Sequence, residues 1–242
     1  MSTNQLSSRF IKSLQDFIQS NKEFSIIYST TTNFISSNID RICVLDSSFN
    51  PPHKGHYALI EESLKFNNHS KNKSILLLLS IKNADKLYKP ESFDKRLEMM
   101  YLMAENLKIK YNNHVNISIG LTNHAKFVDK SLSVLNYITS NHKDFNNNLK
   151  ITFLIGFDTL IRIFNPKYYL PDKLSNKLEN FMKTTDLFCL TRFDENITTN
   201  DQQSEYVNDI KSGKNEEIPS HWSDNIHLIK NENFANISSS RD

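Results

Sequence analysis

Two histidines, His53 and His56, lie three residues apart where the sequence changes from strand-like to helix-like. The apolar, β-branched run 42–45 predicts a buried strand, and the turn-forming residues 46–52 end it with a proline pair. The spacing of apolar side chains over residues 58–64 predicts an amphipathic helix that begins near His53. The start of a helix offers unpaired backbone N–H groups and a positive dipole end, and here two imidazoles join them. The segment therefore predicts a site that binds phosphate.

A second arrangement that could do chemistry follows residues 150–155. That apolar run ends at Gly156, and Asp158 stands at the start of the next predicted helix. In open α/β sheets, nucleotides bind outside the carboxyl ends of the parallel strands, which is where this acid would lie. Capping of the helix by the Asp158 carboxylate is the alternative interpretation, and both roles could hold together.

Strands and helices alternate along the chain, and several strands are apolar on both faces, which is typical of a parallel sheet covered by helices. The predicted strands are residues 42–45, 74–81, 115–120, 150–156, 187–192 and 226–229. The predicted helices are residues 53–64, 93–108 and 128–137, and one more that ends at Thr184. We therefore predict an α/β fold, a three-layer Rossmann-like parallel sheet with its site at the carboxyl ends of the strands.

The first 38 residues are predicted to form an amphipathic helix followed by a polar linker. The apolar face of that helix comprises Phe10, Leu14, Phe17 and Ile18. Their helical spacing indicates that this face packs on the sheet domain, and a helix that binds a partner is the alternative. Residues 39–242 are predicted to form one domain with a polar insertion near residues 194–221.

Composition excludes several classes of function. The 242 residues carry a net charge of +2, which gives no reason to expect a nucleic-acid or membrane partner. Cys43 and Cys189 lie in apolar runs and are expected to be reduced core thiols of a cytoplasmic, or also nuclear, protein. No His/Cys cluster has the spacing of a zinc site. The apolar run 75–79 is too short to span a bilayer, and residues 1–24 lack the apolar stretch of a signal peptide.

Residues 47–56, Ser-Ser-Phe-Asn-Pro-Pro-His-Lys-Gly-His, resemble the signature G-[ST]-F-[ND]-P-x-H-x-G-H of the nucleotidyltransferase superfamily. More narrowly, the segment is similar to the nicotinamide/nicotinate mononucleotide adenylyltransferases, which join ATP to a mononucleotide to make NAD or its deamido form. The resemblance implies that His53 and His56 are catalytic and contact the ATP phosphates. It also implies nucleotide contacts at Ser47, Ser48, Phe49 and Gly55, and a substrate contact at Asn50.

Two residues at this segment depart from the family pattern. Ser47 stands where the family has its first glycine, and Asp46 precedes it. A carboxylate beside a triphosphate is repulsive unless a metal ion lies between them. Asp46 therefore puts full activity in question.

The resemblance also implies contacts to the mononucleotide after the second predicted strand, where family members carry a lysine-bearing loop and an R-x-x-M-like helix. The matching positions here are Lys86, Lys89 and Arg96. A solvated basic loop with a surface arginine is the alternative. Residues 127–132 replace the T-x-x-T-L-like segment of the family, so we expect the contacts to the acceptor to differ.

Two further nucleotide-binding segments are implied by the resemblance. Gly156 and Asp158 match a G-x-D pattern whose aspartate approaches the ATP ribose or the substrate, and Arg192 matches a strand-end arginine near the adenine or triphosphate. A plain strand-end arginine is the alternative for Arg192.

The final residues, 237–242, resemble the beginning of the family's I-S-S-T-x-x-R motif. In that register Ser238, Ser239 and Ser240 would hold the β- and γ-phosphates of ATP, and the motif's arginine would follow Asp242. Either the sequence is a truncated product or the site is incomplete. A Ser-rich tail without a function is the alternative.

The implied reaction is in-line attack of a mononucleotide 5′-phosphate on the α-phosphorus of ATP, with Mg²⁺ arriving on ATP because the sequence shows no cage of carboxylates. The implied partners are thus ATP and a pyridine mononucleotide, and a homo-oligomer is compatible with the sequence. Three alternatives stay open: a related adenylyl or cytidylyl transfer to another acceptor, ATP hydrolysis, and a nucleotide-binding regulatory protein without turnover.

Overall fold

Seven strands form one sheet in the computed structural model, which describes residues 3–32, 34–36, 38–66, 72–82, 91–142, 148–192 and 199–231. The strands are β1 Phe24–Ser29, β2 Arg41–Asp46, β3 Lys73–Ser80, β4 Ile117–Thr122, β5 Lys150–Gly156, β6 Thr185–Leu190 and β7 Ile226–Ile229. Their spatial order is β1-β4-β3-β2-β5-β6-β7. All neighbours pair in parallel except β1 and β4. The predicted α/β fold with a largely parallel sheet is confirmed.

Helices cover both faces of this sheet. They are α1 Thr3–Gln19, α2 Lys54–Lys65, α3 Phe93–Lys110, α4 Phe127–Asn141, α5 Phe157–Ile163, α6 Leu174–Thr184 and α7 Asn200–Lys211. Short 3₁₀ helices span Pro166–Tyr168 and Ser220–Asn225. Because every second residue of a strand points to the same face, the central strands contribute side chains to two separate apolar clusters.

The first apolar cluster lies under α4, α5, α6 and α7, and the second lies under α1, α2 and α3. In β2, Ile42 and Val44 belong to the first cluster, whereas Cys43 and Leu45 belong to the second. Both cysteines are buried and free, as expected for core thiols. The three layers follow from strands that are apolar on both faces.

Strand β1 was not predicted, and it adds an antiparallel edge strand to the predicted parallel sheet. A β-carbon on Gly120 of β4 would lie 2.8 Å from the Phe24 ring, so the glycine lets β1 pack closely. The expected packing of α1 on the sheet domain is confirmed: Phe10 and Phe17 are buried in the second cluster. Ile18, assigned to that apolar face, is instead 56% exposed.

Two strands are displaced from their predicted bounds. The third predicted strand, 115–120, is observed as Ile117–Thr122, and the fifth, 187–192, as Thr185–Leu190. The region predicted as a polar insertion also contributes to the core. Ile210 and Ile218 of this region, and Trp222 directly after it, are buried in the first cluster, because α7 and the following 3₁₀ helix cover the β7 side of the sheet.

The amino ends of the strands carry a buried charge cluster on the side away from the predicted site. The Arg41 guanidinium pairs with the Asp186 carboxylate and donates to the Thr152 hydroxyl, which joins β2, β5 and β6. The Lys73 ammonium donates to the Ser63 carbonyl at 2.8 Å and to that of Phe66. These contacts stabilise the sheet at the amino ends of its strands, opposite the carboxyl ends where the site is predicted.

No helix within the described ranges is long and apolar enough to cross a membrane.

Candidate functional site

The loop after β2 is held by a buried phenylalanine. The Phe49 ring is fully buried, and the backbone of Phe49 has a positive φ of 47°, a region that few residues other than glycine adopt. Such a conformation costs on the order of 1 kcal/mol or more, and burial of the ring can offset it. Phe49 therefore anchors the loop through its buried ring, which lies 5.2 Å from the ring of His56.

The two histidines meet at the amino end of α2. His53 is the N-cap residue, His56 lies in the first turn, and their rings stack with centroids 3.8 Å apart. Gly55 lies between them in the same turn. The helix start thus presents both imidazoles and its positive dipole end at one place, as the sequence predicted.

Hydrogen bonds fix the protonation state of His56. The His53 backbone N–H donates to Nδ1 of His56 at 3.0 Å, and Nε2 of His56 lies 2.8 Å from the Ser47 hydroxyl. Because Nδ1 accepts, a neutral ring carries its proton on Nε2 and donates it to Ser47. Burial, followed by the nearby charge of His53, lowers the pKa of His56 to about 3. His56 is therefore a neutral hydrogen-bond donor at physiological pH.

Asp46 at the end of β2 is not an isolated negative charge. Its carboxylate pairs with the ammonium of Lys130 in α4, and the two side chains are only 10% and 5% exposed. The Phe127 ring lies 5.1 Å from that ammonium on its other side. The repulsion between Asp46 and a triphosphate that the sequence suggested is thus opposed by the buried ammonium of Lys130.

The carboxyl ends of β5 and β6 bring Asp158 and Arg192 together. Nη1 of Arg192 lies 2.9 Å from Oδ1 of Asp158. The N-cap residue of α5 is Gly156, and Asp158 lies in the first turn of the helix, so the interpretation of Asp158 as the N-cap residue is wrong. A β-carbon on Gly156 would lie 2.8 Å from Oδ1 of Asp158, so a larger residue there would require the Asp158 carboxylate to shift.

Helix α7 fixes the backbone of Arg192. Oε1 of Gln203 accepts from the Arg192 N–H at 3.1 Å, and Nε2 of Gln203 donates to the Arg192 carbonyl at 2.6 Å. The Gln203 side chain is 1% exposed. A buried side chain from the next helix therefore fixes the backbone of Arg192, and the predicted contact of its guanidinium with the nucleotide stays a prediction.

Arg96 is buried, contrary to the surface position that the alternative interpretation gave it. It lies in the first turn of α3 with no exposed surface, and its guanidinium stacks on the Phe93 ring at 4.2 Å. Within the described part of the chain, none of its three guanidinium nitrogens has a hydrogen-bond partner. The start of α3 is tied to the loop because the Glu91 N–H donates to Oδ1 of Asn50 at 3.0 Å.

Comparison with known proteins identifies the family. The model of the cytidylyltransferase-like family matches residues 44–241 of this chain. A protein of Schizosaccharomyces pombe named "Putative nicotinamide mononucleotide adenylyltransferase" is 38% identical over 189 residues, which cover 78% of this chain and 68% of that protein. The chain belongs to this nucleotidyltransferase family. The resemblance to nicotinamide/nicotinate mononucleotide adenylyltransferases is confirmed.

Two solved structures of the Plasmodium falciparum nicotinic acid mononucleotide adenylyltransferase, one complexed with APC and one with NaAD, also align with the chain. They are 16% and 15% identical to it, with TM-scores of 0.45 and 0.44. Each alignment covers 83% of this chain and 81% of the other.

Several residues that the sequence assigned to the nucleotidyltransferase site lie outside the described residues. These are Lys86, Lys89, Ser238, Ser239 and Ser240. Ser48 is described and lies half-buried in the loop between Ser47 and Phe49. Its predicted contact with the nucleotide stays a prediction, as do the contacts of the five residues above.

Sequence reasoning missed two residues that shape this site, Lys130 and Gln203. Lys130 could have been found from the helical stripe that it shares with Val134 and Ile138, because a lysine on an apolar face needs a buried partner. Gln203 left no comparable signal, since its partner is the backbone of a residue 11 positions away.

A metal site built by the protein is not evident where the structure describes the chain, since no three His, Cys, Asp or Glu residues there could share an ion. A cavity of about 550 Å³ opens around Asn38, Asn72 and Asn116 at the amino ends of the strands. The two histidines lie at the opposite ends of the strands, the carboxyl ends, so we do not assign the nucleotide to this cavity.

Proposed function

We propose that this protein transfers the adenylyl group of Mg-ATP to a nicotinamide or nicotinate mononucleotide, giving NAD or deamido-NAD and pyrophosphate. The observation that carries the proposal is the stacked pair His53 and His56 at the amino end of α2, at the centre of the sheet. The name of the Schizosaccharomyces pombe relative supports a pyridine mononucleotide as the acceptor.

The order of the strands supports this location of the nucleotide. The chain leaves β2 for β3 and β4 on one side, and returns through α4 to β5 on the other side of β2. Ligands of open α/β sheets bind outside the carboxyl ends of the strands at such a change of direction. The loop of Ser47 to His53, the Asp158–Arg192 pair and the start of α2 all lie at these ends.

In the proposed reaction, an oxygen of the mononucleotide 5′-phosphate attacks the α-phosphorus of ATP. A bond forms between that oxygen and phosphorus while the bond from phosphorus to the α–β bridging oxygen breaks, and pyrophosphate leaves with the electron pair. The attacking phosphate is already ionised near neutral pH, so no side chain must remove a proton. Positioning and stabilisation of charge then supply the catalysis.

His56 would serve this reaction as a neutral donor. On binding, a phosphate oxygen replaces the Ser47 hydroxyl as the acceptor of the His56 Nε2 proton, while the bond from the His53 N–H keeps the ring in place. His53 would present its stacked ring beside the same phosphate. Mg²⁺ would arrive as part of the substrate, bound to the phosphates of ATP.

Two guanidinium groups would bind the rest of the substrates. Arg192, held against Asp158, would contact the nucleotide at the carboxyl end of β6. Arg96 would bind an anionic group of the mononucleotide, since its buried guanidinium has no hydrogen-bond partner among the described residues and a phosphate or carboxylate would satisfy it. The hydrogen bond from the Glu91 N–H to Asn50, just before α3, joins the start of that helix to the phosphate loop and supports an acceptor site there.

Product analysis tests the proposal. The protein is incubated with Mg-ATP alone, with nicotinamide mononucleotide and with nicotinate mononucleotide, and the products are separated and identified. We expect a dinucleotide and pyrophosphate in equal amounts, only when a mononucleotide is present. Orthophosphate and ADP under acceptor excess would indicate a hydrolase, and ATP binding without any product would indicate a regulatory protein.

A further inference from the structure

The strongest unassigned feature of the site is the ion pair between Asp46 and Lys130. Asp46 is the last residue of β2 and directly precedes Ser47, so its carboxylate lies at the base of the phosphate loop. Lys130 reaches it from the first turns of α4, and both side chains are almost completely buried. Ser47 in turn contacts the ring of His56, so the ion pair adjoins the catalytic histidine through one residue.

The position of the pair follows from the geometry of β2 and α4. Alternate residues Ile42, Val44 and Asp46 point to the same face of the sheet, which is the face that α4 covers. Helix α4 is also the connection that crosses from β4 to β5 over the end of β2. The ion pair therefore lies in the crevice where the strand order changes direction, which is the place expected for the phosphates of a nucleotide.

A buried carboxylate at this place would oppose the binding of any polyanion. Charges interact more strongly where water is excluded, and the Phe127 ring beside the Lys130 ammonium helps to exclude it. Removing the lysine while leaving the acid would place an uncompensated negative charge below the phosphates. The loss of binding affinity should therefore increase with each negative charge that the ligand carries.

We propose that Lys130 is a positioning residue of the nucleotide site, whose ammonium cancels the charge of Asp46 and thereby permits a polyphosphate to bind above β2. The inference rests on the proposed nucleotide site. It assigns no direct contact between Lys130 and substrate. Lys130 and Asp46 thus act as one neutral unit. The sequence alone had indicated that Asp46 would repel a triphosphate.

Binding measurements with a series of ligands of increasing charge test this proposal. Calorimetry is used to measure the affinity of the 242-residue protein for adenosine, AMP, ADP and Mg-ATP. The variants are Lys130→Met, Asp46→Asn and the double variant with both changes. Lys183→Met is the control, because this exposed lysine ends α6 at the amino side of β6, away from the site.

The expected pattern separates electrostatics from simple structural damage. Lys130→Met should leave adenosine binding unchanged and weaken Mg-ATP binding by about tenfold or more, with AMP and ADP in between. The double variant should recover Mg-ATP binding to near that of the wild type. Asp46→Asn alone should bind Mg-ATP at least as tightly as the wild type. If Lys130→Met does not fold, the affinity of Asp46→Asn for Mg-ATP tests the proposal.

Three results would overturn the proposal. In the first, Lys130→Met binds Mg-ATP as tightly as the wild type does. In the second, Lys130→Met loses the same factor of affinity for adenosine as for Mg-ATP. In the third, the double variant binds Mg-ATP as weakly as Lys130→Met does. Weaker Mg-ATP binding by Asp46→Asn would contradict it as well. Failure of the wild-type protein to bind any adenine nucleotide would instead refute the proposed function.

Discussion

The imidazole of His56 is held at both nitrogens before a nucleotide arrives. Ser47 faces Nε2 and the His53 N–H faces Nδ1, while burial keeps the ring uncharged at neutral pH. A neutral ring can give one hydrogen bond to phosphate but no positive charge. In the proposed reaction, the charge that balances the phosphates would therefore come from the helix end, from guanidinium groups and from Mg²⁺ bound to ATP.

Replacing His56 by alanine should remove that hydrogen bond while leaving the helix start. We expect the rate of dinucleotide formation, or the affinity for Mg-ATP, to fall by about tenfold or more, which corresponds to at least about 1.4 kcal/mol. His114→Ala is the matched control, because His114 is exposed and lies in the turn before β4. A folded His56→Ala protein with the rate and affinity of the wild type would show that the histidine pair is not the active site.

His56 should also make the protein sensitive to acid. Its pKa is about 3 in the folded protein and near 6.5 in an unfolded chain. Between these values the unfolded chain binds a proton that the folded protein does not. The contribution to stability is therefore complete above about pH 6.5 and is lost as the pH falls, by up to about 1.4 kcal/mol per pH unit.

Chemical denaturation at pH values from 7 to 4 measures this dependence. The free energy of unfolding of the wild type should fall more steeply than that of His56→Gln, because glutamine does not titrate. Parallel curves for the two proteins would mean that His56 is not buried in its neutral form.

Ser47 offers a second test at the residue scale, since the family pattern has glycine at this position. Ser47→Gly removes the acceptor of the His56 Nε2 proton, which should lower the free energy of unfolding by about 1 kcal/mol. A phosphate no longer competes with the hydroxyl, so we expect affinity for Mg-ATP to be equal to or higher than that of the wild type. Calorimetry decides: a tenfold loss of affinity would show that the Ser47 hydroxyl itself binds the nucleotide.

At the scale of elements, α7 determines the geometry of the strand-end arginine. Gln203 bonds both backbone groups of Arg192, so Gln203→Leu should leave those groups without this partner and allow the guanidinium to move. We expect affinity for Mg-ATP to fall by about threefold to tenfold, or about 0.7–1.4 kcal/mol, as Arg192→Met also should. The matched control is Gln202→Leu, which loses the helix cap with Thr199 but does not touch Arg192. Equal binding by Gln203→Leu and the wild type would mean that Arg192 does not contact the nucleotide.

The loop and helix of the first motif could be predicted from sequence because every signal there is local. The run 42–45, the proline pair and the helical spacing after His53 fix the strand, turn and helix within 24 residues of Arg41. Contacts between elements could not be predicted in this way. The pairing of Asp46 with Lys130 joins residues 84 positions apart, and the pairing of Asp158 with Arg192 joins residues 34 positions apart.

On the scale of the whole molecule, the α/β class and the position of the site follow from the alternation of strands and helices. The edge strand β1 was missed because the residues before 38 were interpreted as a helix and a linker. Only pairing with β4 and close packing at Gly120 reveal residues 24–29 as a strand. The sheet therefore extends beyond the segment that resembles the family, whose model match begins at residue 44.

Adenylyl transfer and ATP hydrolysis differ in which part of ATP the protein transfers. The most direct measurement follows the phosphorus atoms, using Mg-ATP labelled at the α- or at the γ-phosphate together with excess mononucleotide. We predict that the α-label appears in the dinucleotide and the γ-label in pyrophosphate, in equal amounts, and that His56→Ala slows both together. Appearance of the γ-label as orthophosphate, with the α-label retained in ADP, would contradict adenylyl transfer.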